Sequence, residues 1–67
     1  MDLQEAGKRI QKIRKKLGLT QEQLAEKVGI SAHFVYEIEH GQKTMSLYTL
    51  ADITLALGTS TDYILFG

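Results

Sequence analysis

Residues 19–41 carry the pattern that most restricts the fold, because polar capping residues and glycines bound two short apolar repeats. Thr20 is a favourable helix N-cap, and Gln23 completes a capping box that satisfies two backbone amides. Gly29 ends the first repeat, since glycine takes the left-handed conformation after a helix without steric cost. Ser31 begins the second repeat, and a further glycine ends it. The pattern predicts two short helices joined by a tight turn and packed at a steep angle.

A longer helix is predicted before this pair. Its apolar residues recur at alternating intervals of three and four, which places them along one helical face. They are Leu3, Ala6, Ile10, Ile13 and Leu17. Asp2 and Glu5 favour a helix start, and Gly18 favours a stop.

Two further helices are predicted after the pair. Ser46 caps a fourth helix and Gly58 ends it, whereas Ser60 caps a last turn over residues 61–66. The residues of the fourth helix that can face a core are Leu47, Leu50, Ile53, Thr54 and Leu57. Five short helices without a strand predict an all-α fold. No linker or low-complexity segment interrupts the chain, so we expect residues 1–67 to form one domain.

The composition excludes several kinds of protein. The 67 residues include no cysteine, so disulfides and thiolate metal sites are absent, and no apolar run has the length of a membrane span. We therefore expect a soluble, cytoplasmic protein. The sequence has no glycine-rich phosphate loop and no activated nucleophile pair, and a helical bundle this small offers little room for an enclosed pocket. Neither an enzymatic activity nor a cofactor is expected.

The charges are unevenly distributed although their sum is zero. Residues 1–16 contain six of the eight lysines and arginines and only two acids, whereas the rest of the chain contains two lysines and six acids. A surface polarised in this way can present a positive face to phosphate despite the neutral total.

Two short helices joined by a tight turn form the helix-turn-helix unit, here about residues 21–40, which is typical of DNA-binding regulators. In addition, the chain resembles the Cro/repressor-like, or XRE, family of bacterial and phage regulators from Ile10 to Leu65. The residues that carry this resemblance are Ile13, Arg14, Leu19, Thr20, Gln21, Leu24, Ala25, Val28, Gly29, Ile30, Ser31, Val35, Ile38, Glu39, Gly41, Ser46, Leu47, Leu57, Gly58, Ser60, Asp62, Tyr63, Ile64 and Leu65. The resemblance implies a compact five-helix, lambda-repressor-like bundle and a homodimer that binds a near-palindromic operator as a transcriptional repressor.

The third helix of such a bundle enters the major groove, and the second lies across the DNA backbone. The resemblance and the helical face opposite Val35 and Ile38 imply the same base-reading residues. They are Ala32, His33, Tyr36 and Glu37. Histidine can donate to guanine, glutamate can accept from cytosine, and alanine can contact a thymine methyl group. The residues expected at the DNA backbone are Gln21, Phe34, His40, Lys43 and Thr44.

The resemblance also implies a structural salt bridge between Arg14 and Glu39, which would tie the first helix to the end of the third. Glu37 departs from the character of a general DNA binder, because its negative charge opposes phosphate. Binding is therefore expected to depend strongly on the correct bases.

Two other interpretations assign different functions to residues expected at the surface. His33, Glu37 and His40 share one helical face and could converge on a metal ion, but this face is already assigned to DNA, so no metal site is predicted. Leu55, Tyr63 and Phe66 are expected to form the dimer interface. Together with Tyr48, the same exposed residues would suit an antitoxin-like or scaffold protein that binds a protein partner, for example a toxin.

Overall fold

The computed structural model describes residues 2–67, which form five α-helices and contain no strand. The helices are α1 (Leu3–Lys16), α2 (Gln21–Val28), α3 (Ala32–Glu39), α4 (Leu47–Leu57) and α5 (Thr61–Phe66). The bundle measures 26 × 21 × 20 Å. The prediction of an all-α, five-helix fold is confirmed.

Each helix begins with a side chain that accepts hydrogen bonds from backbone N–H groups of the first turn. These N-caps are Asp2, Thr20, Ser31, Ser46 and Ser60. In α2 the capping box is complete: Gln23 N–H donates to Thr20 Oγ1 at 3.0 Å, and Thr20 N–H donates to Gln23 Oε1 at 2.8 Å. The starts of the helices are therefore fixed by local hydrogen bonds, as the sequence predicts.

The core lies where the five helices meet. Its buried apolar residues are Ala6, Ile10, Leu24, Ala25, Val35, Ile38, Leu50, Ile53, Leu57 and Ile64. Helix α1 packs against α3 and α5, and α2 packs against α3 and α4. Arg9 adds a polar contact at one end, since its Nη1 donates to the carbonyl oxygen of Ile64 at 3.0 Å.

Three residues of the predicted apolar faces lie largely outside the core. Leu3 is 38%, Leu17 is 52% and Leu47 is 75% exposed. They stand at helix ends, past the packed middle of the bundle, so the prediction that Leu47 can face the core is wrong. Helix α1 also buries Gly7 and Arg14, which an apolar pattern does not identify.

Gly7 lets α1 approach α3 closely. A methyl group at this position would lie 2.7 Å from the backbone carbonyl carbon of Glu39 and would also collide with the carbonyl oxygen of Ile38. Only a residue without Cβ fits there. This contact brings the end of α3 beside the middle of α1.

No helix within residues 2–67 is long and apolar enough to cross a membrane.

Candidate nucleic-acid interface

The turn between α2 and α3 fixes the relative orientation of the two helices. Gly29 has a φ of 82°, and the N–H groups of Gly29 and Ile30 both donate to the carbonyl oxygen of Ala25, at 2.8 and 3.1 Å. Helix α3 buries Val35 and Ile38 in the core. Its opposite face is consequently presented to solvent.

Three aromatic rings form a row along the exposed face of α3. The ring centroids of His33 and Tyr36 are 6.4 Å apart, and those of Tyr36 and His40 are 4.0 Å apart, with both pairs stacked. The side chain of His33 is 80% exposed. The row therefore offers flat surfaces and polar ring atoms along the whole length of the helix.

Glu37 lies between two cationic or potentially cationic groups. Its Oε2 is 3.7 Å from His33 Nε2 and 3.9 Å from Lys43 Nζ. The Glu37 side chain is only 17% exposed, whereas those of its partners are 80% and 62% exposed. Lys43 reaches this site from the connection after α3, so it offsets the negative charge that the sequence places in the interface.

His40 has a defined hydrogen bond on one ring nitrogen. Its Nδ1 lies 2.9 Å from the carbonyl oxygen of Tyr36. A carbonyl oxygen can only accept, so Nδ1 carries the proton and Nε2 of the neutral ring is left as an acceptor. Only the protonated imidazole can then donate from Nε2 to a phosphate.

Ala32 and Phe34 border the exposed face, because both are partly buried and pack against the core. Thr44 is exposed in the connection between α3 and α4. Gln4, Lys8 and Gln11 of α1 line a shallow groove beside His40. The side of α1 that carries Lys8 thus adjoins the end of α3.

Arg14 and Glu39 form an ion pair whose side chains are 8% and 0% exposed. Arg14 Nε donates to Glu39 Oε2 at 2.6 Å, Nη2 donates to Oε1 at 3.0 Å, and Nη1 donates to the carbonyl oxygen of Leu19 at 2.8 Å. Gln21 joins the pair, since its Nε2 donates to Glu39 Oε1 at 3.1 Å. The first residue of α2 is therefore tied to the last residue of α3, a connection that the sequence reasoning missed.

Within residues 2–67 no three histidine or acidic side chains gather closely enough to hold a metal ion. His40, which could have joined His33 and Glu37, stacks on Tyr36 instead.

A second exposed surface carries the residues expected at a dimer interface. Leu55 on α4 is 80% exposed, and Tyr63 and Phe66 on α5 are 39% and 67% exposed. Tyr48, at the start of α4, is 82% exposed. These side chains belong to α4 and α5 and not to α3.

A family model for the helix-turn-helix matches residues 10–64, which include all of α2, α3 and α4. The chain belongs to the XRE-type helix-turn-helix family. The family comprises DNA-binding transcriptional regulators, so the pair α2 and α3 corresponds to the unit that gives the family its name.

Curated relatives and a solved structure agree with this membership. An uncharacterized helix-turn-helix-type transcriptional regulator of Methanothermobacter thermautotrophicus is 45% identical over 49 residues, covering 73% of this chain and 71% of that protein. The immunity repressor protein of Bacillus phage phi105 is 46% identical over 52 residues, 78% of this chain but 36% of the repressor. The P22 c2 repressor, crystallised with a synthetic operator, is 34% identical with a TM-score of 0.92, covering 96% and 97% of the two chains.

Proposed function

We propose that this helix-turn-helix protein is a sequence-specific repressor of transcription that binds a near-palindromic operator as a homodimer. The observation that carries the proposal is the exposed aromatic and acidic face of α3, held rigidly over a buried core. The operator-bound P22 c2 repressor, with its TM-score of 0.92, supports DNA as the partner. A DNA partner implies that the protein acts in the cytoplasm.

The base-reading residues we propose are Ala32, His33, Tyr36 and Glu37. Glu37 supplies the most selective contact, because a carboxylate accepts from the amino group of cytosine and repels the acceptor atoms of guanine and thymine. His33 donates to guanine, and Ala32 contacts a thymine methyl group.

Flanking residues hold the DNA backbone in this proposal. They are Gln21, Phe34, His40, Lys43 and Thr44. Phosphate contacts fix the register of the protein on the duplex, while base contacts supply the sequence preference. Lys43 contributes most of the salt dependence among these residues, because it is the one with a permanent positive charge.

Two copies would meet through Leu55, Tyr63 and Phe66. Exposed apolar residues are stabilised when a second copy covers them, and a two-fold axis places the two recognition helices about one DNA turn, or about 34 Å, apart. Leu55→Gln should therefore shift the protein toward monomer in sedimentation equilibrium. Leu47→Gln is the matched control, since Leu47 is similarly exposed but lies outside the proposed interface.

The first experiment selects duplexes from a random-sequence pool with the purified protein and measures their binding at several salt concentrations. We expect an enriched inverted repeat. Glu37→Gln should change the base preference at one position in each half-site, whereas Glu26→Gln, at an exposed position of α2, should leave the preference unchanged.

Failure to enrich any sequence at low salt would refute the proposal. The exposed Leu55 and Phe66 would then favour the antitoxin-like or scaffold function, in which they bind a protein partner.

A further inference from the structure

The buried ion pair of Arg14 and Glu39 has a third member, Gln21. Glu39 Oε1 accepts from Arg14 Nη2 at 3.0 Å and from Gln21 Nε2 at 3.1 Å. Within residues 2–67, no buried side-chain nitrogen or oxygen lacks a hydrogen-bond partner. The carboxylate is therefore a fixed acceptor against which the Gln21 amide is oriented.

This contact selects one of the two orientations that the amide of a free glutamine can adopt. A reversed amide would direct its carbonyl oxygen at the Glu39 carboxylate, and two acceptors repel each other. The amide nitrogen is therefore held toward Glu39, and its second N–H has no partner among the described residues. A glutamine side chain held in this way has already lost much of the rotamer freedom that binding would otherwise remove.

Gln21 also stands where a phosphate is favoured. It is the first residue of α2, whose initial backbone N–H groups carry a partial positive charge. The side chain is half-buried, so it borders solvent while its amide contacts a buried carboxylate.

We propose that Glu39 is a positioning residue, which orients the Gln21 amide so that its second N–H donates to a DNA phosphate. The inference rests on the proposed function. Because Glu39 is also the last residue of α3, one buried group would set the phosphate contact of α2 relative to the helix that reads bases. Arg14 in turn holds Glu39 in place through two hydrogen bonds.

The first test needs no DNA. Side-chain ¹⁵N relaxation of the free protein should show the Gln21 amide to be ordered, whereas the amide of Gln42, which is exposed after α3, should be mobile. Glu39→Gln should release the Gln21 amide. An amide at Gln21 as mobile as that at Gln42 in the unmodified protein would overturn the inference.

The second test measures affinity for the duplex selected from the random pool. Gln21→Met keeps the side-chain length, removes the donor and should weaken binding at least about tenfold, the lower end of the effect of one hydrogen bond to a charged group. Gln42→Met is the control. Glu39→Gln should weaken binding by a similar factor, and the double variant should bind no more weakly than Gln21→Met alone, because both changes remove one contact.

Replacing one DNA phosphate by an uncharged methylphosphonate distinguishes a lost phosphate contact from a general effect on the fold. A single methylphosphonate is placed at each backbone position of the half-site in turn. At one position it should weaken duplex binding by the unmodified protein but cause no further loss of binding by Gln21→Met. Equal binding by Gln21→Met and the unmodified protein, or additive losses in the double variant, would overturn the inference. If Glu39→Gln does not fold, the relaxation of the unmodified protein and the methylphosphonate scan with Gln21→Met still decide the question.

An unmodified protein that binds no duplex would instead overturn the proposed function, and with it the phosphate contact. That result differs from failure of the positioning inference alone, in which the protein binds the duplex but Gln21→Met binds it equally well.

Discussion

Replacing Arg14 with methionine is expected to destabilise the fold severely, because methionine keeps the apolar part of the side chain but removes the guanidinium group. Arg14 makes three hydrogen bonds, two to Glu39 and one to the carbonyl oxygen of Leu19. The Glu39 side chain is fully buried, so after the substitution its carboxylate keeps only the hydrogen bond from Gln21. A buried charge is then left without its counter-ion.

The size of the effect follows from this burial. Removing one partner of a buried ion pair costs about 3 to 5 kcal/mol, mainly because the remaining charge stays desolvated. A domain of this length has a total stability of about 3 to 10 kcal/mol. Arg14→Met should therefore lower the free energy of unfolding by a large part of its total and leave a measurable unfolded fraction.

Urea unfolding followed by circular dichroism measures the loss. Lys8→Met is the matched control, because Lys8 forms an exposed ion pair with Glu5 at 3.5 Å, with side chains 69% and 51% exposed. An exposed pair contributes about 0 to 1 kcal/mol, so this control should unfold almost like the unmodified protein. A double variant, Arg14→Met with Glu39→Met, should recover much of the loss, since no buried charge remains.

A loss in Arg14→Met below about 1 kcal/mol at neutral pH, the range of an exposed pair, would refute the reasoning.

Two further predictions concern other contacts. Gly7→Ala should destabilise the fold in urea by about 1 to 3 kcal/mol or more, because the new methyl group meets the backbone of α3. Gly18→Ala is the control. Its methyl group meets no neighbouring atom, so it should cost only the strain of its φ of 74°, about 1 to 2 kcal/mol. Lys43→Gln should reduce the slope of log affinity against log salt by about one, and an unchanged slope would exclude a phosphate contact.

The boundaries of the helices were predictable because they depend on residues close together in the chain. A capping serine or threonine bonds to an amide three residues later, as Ser31 does with Phe34 at 3.0 Å. Glycine at a left-handed position acts just as locally. Neither interaction needs the rest of the fold, so the sequence alone predicts it. Helix α3 ends in this way, since the left-handed Gly41 follows its C-cap His40, and the N–H groups of Gly41 and Gln42 donate to the carbonyl oxygens of Ile38 and Glu37 at 3.1 and 2.8 Å.

The face of α3 opposite its buried residues was also predictable, since helical periodicity separates Val35 and Ile38 from His33 and Tyr36. The contacts made by that face were not. Lys43 lies six residues after Glu37, beyond the end of the helix, so its approach depends on the path of the connection. The ion pair of Arg14 and Glu39 was expected from family resemblance only, because nothing in the spacing of two residues 25 positions apart indicates that they meet.

The sequence by itself determined the five helices, their caps and the apolar stripes that must be buried, because these follow from interactions within a few residues. Only the tertiary structure decided which stripe residues are covered, why α1 needs Gly7, and how Gln21 is fixed by a carboxylate on another helix. The physical reason is the same in each case. Burial and long-range hydrogen bonds depend on how the helices pack against one another, and helix packing brings together residues that the chain keeps far apart.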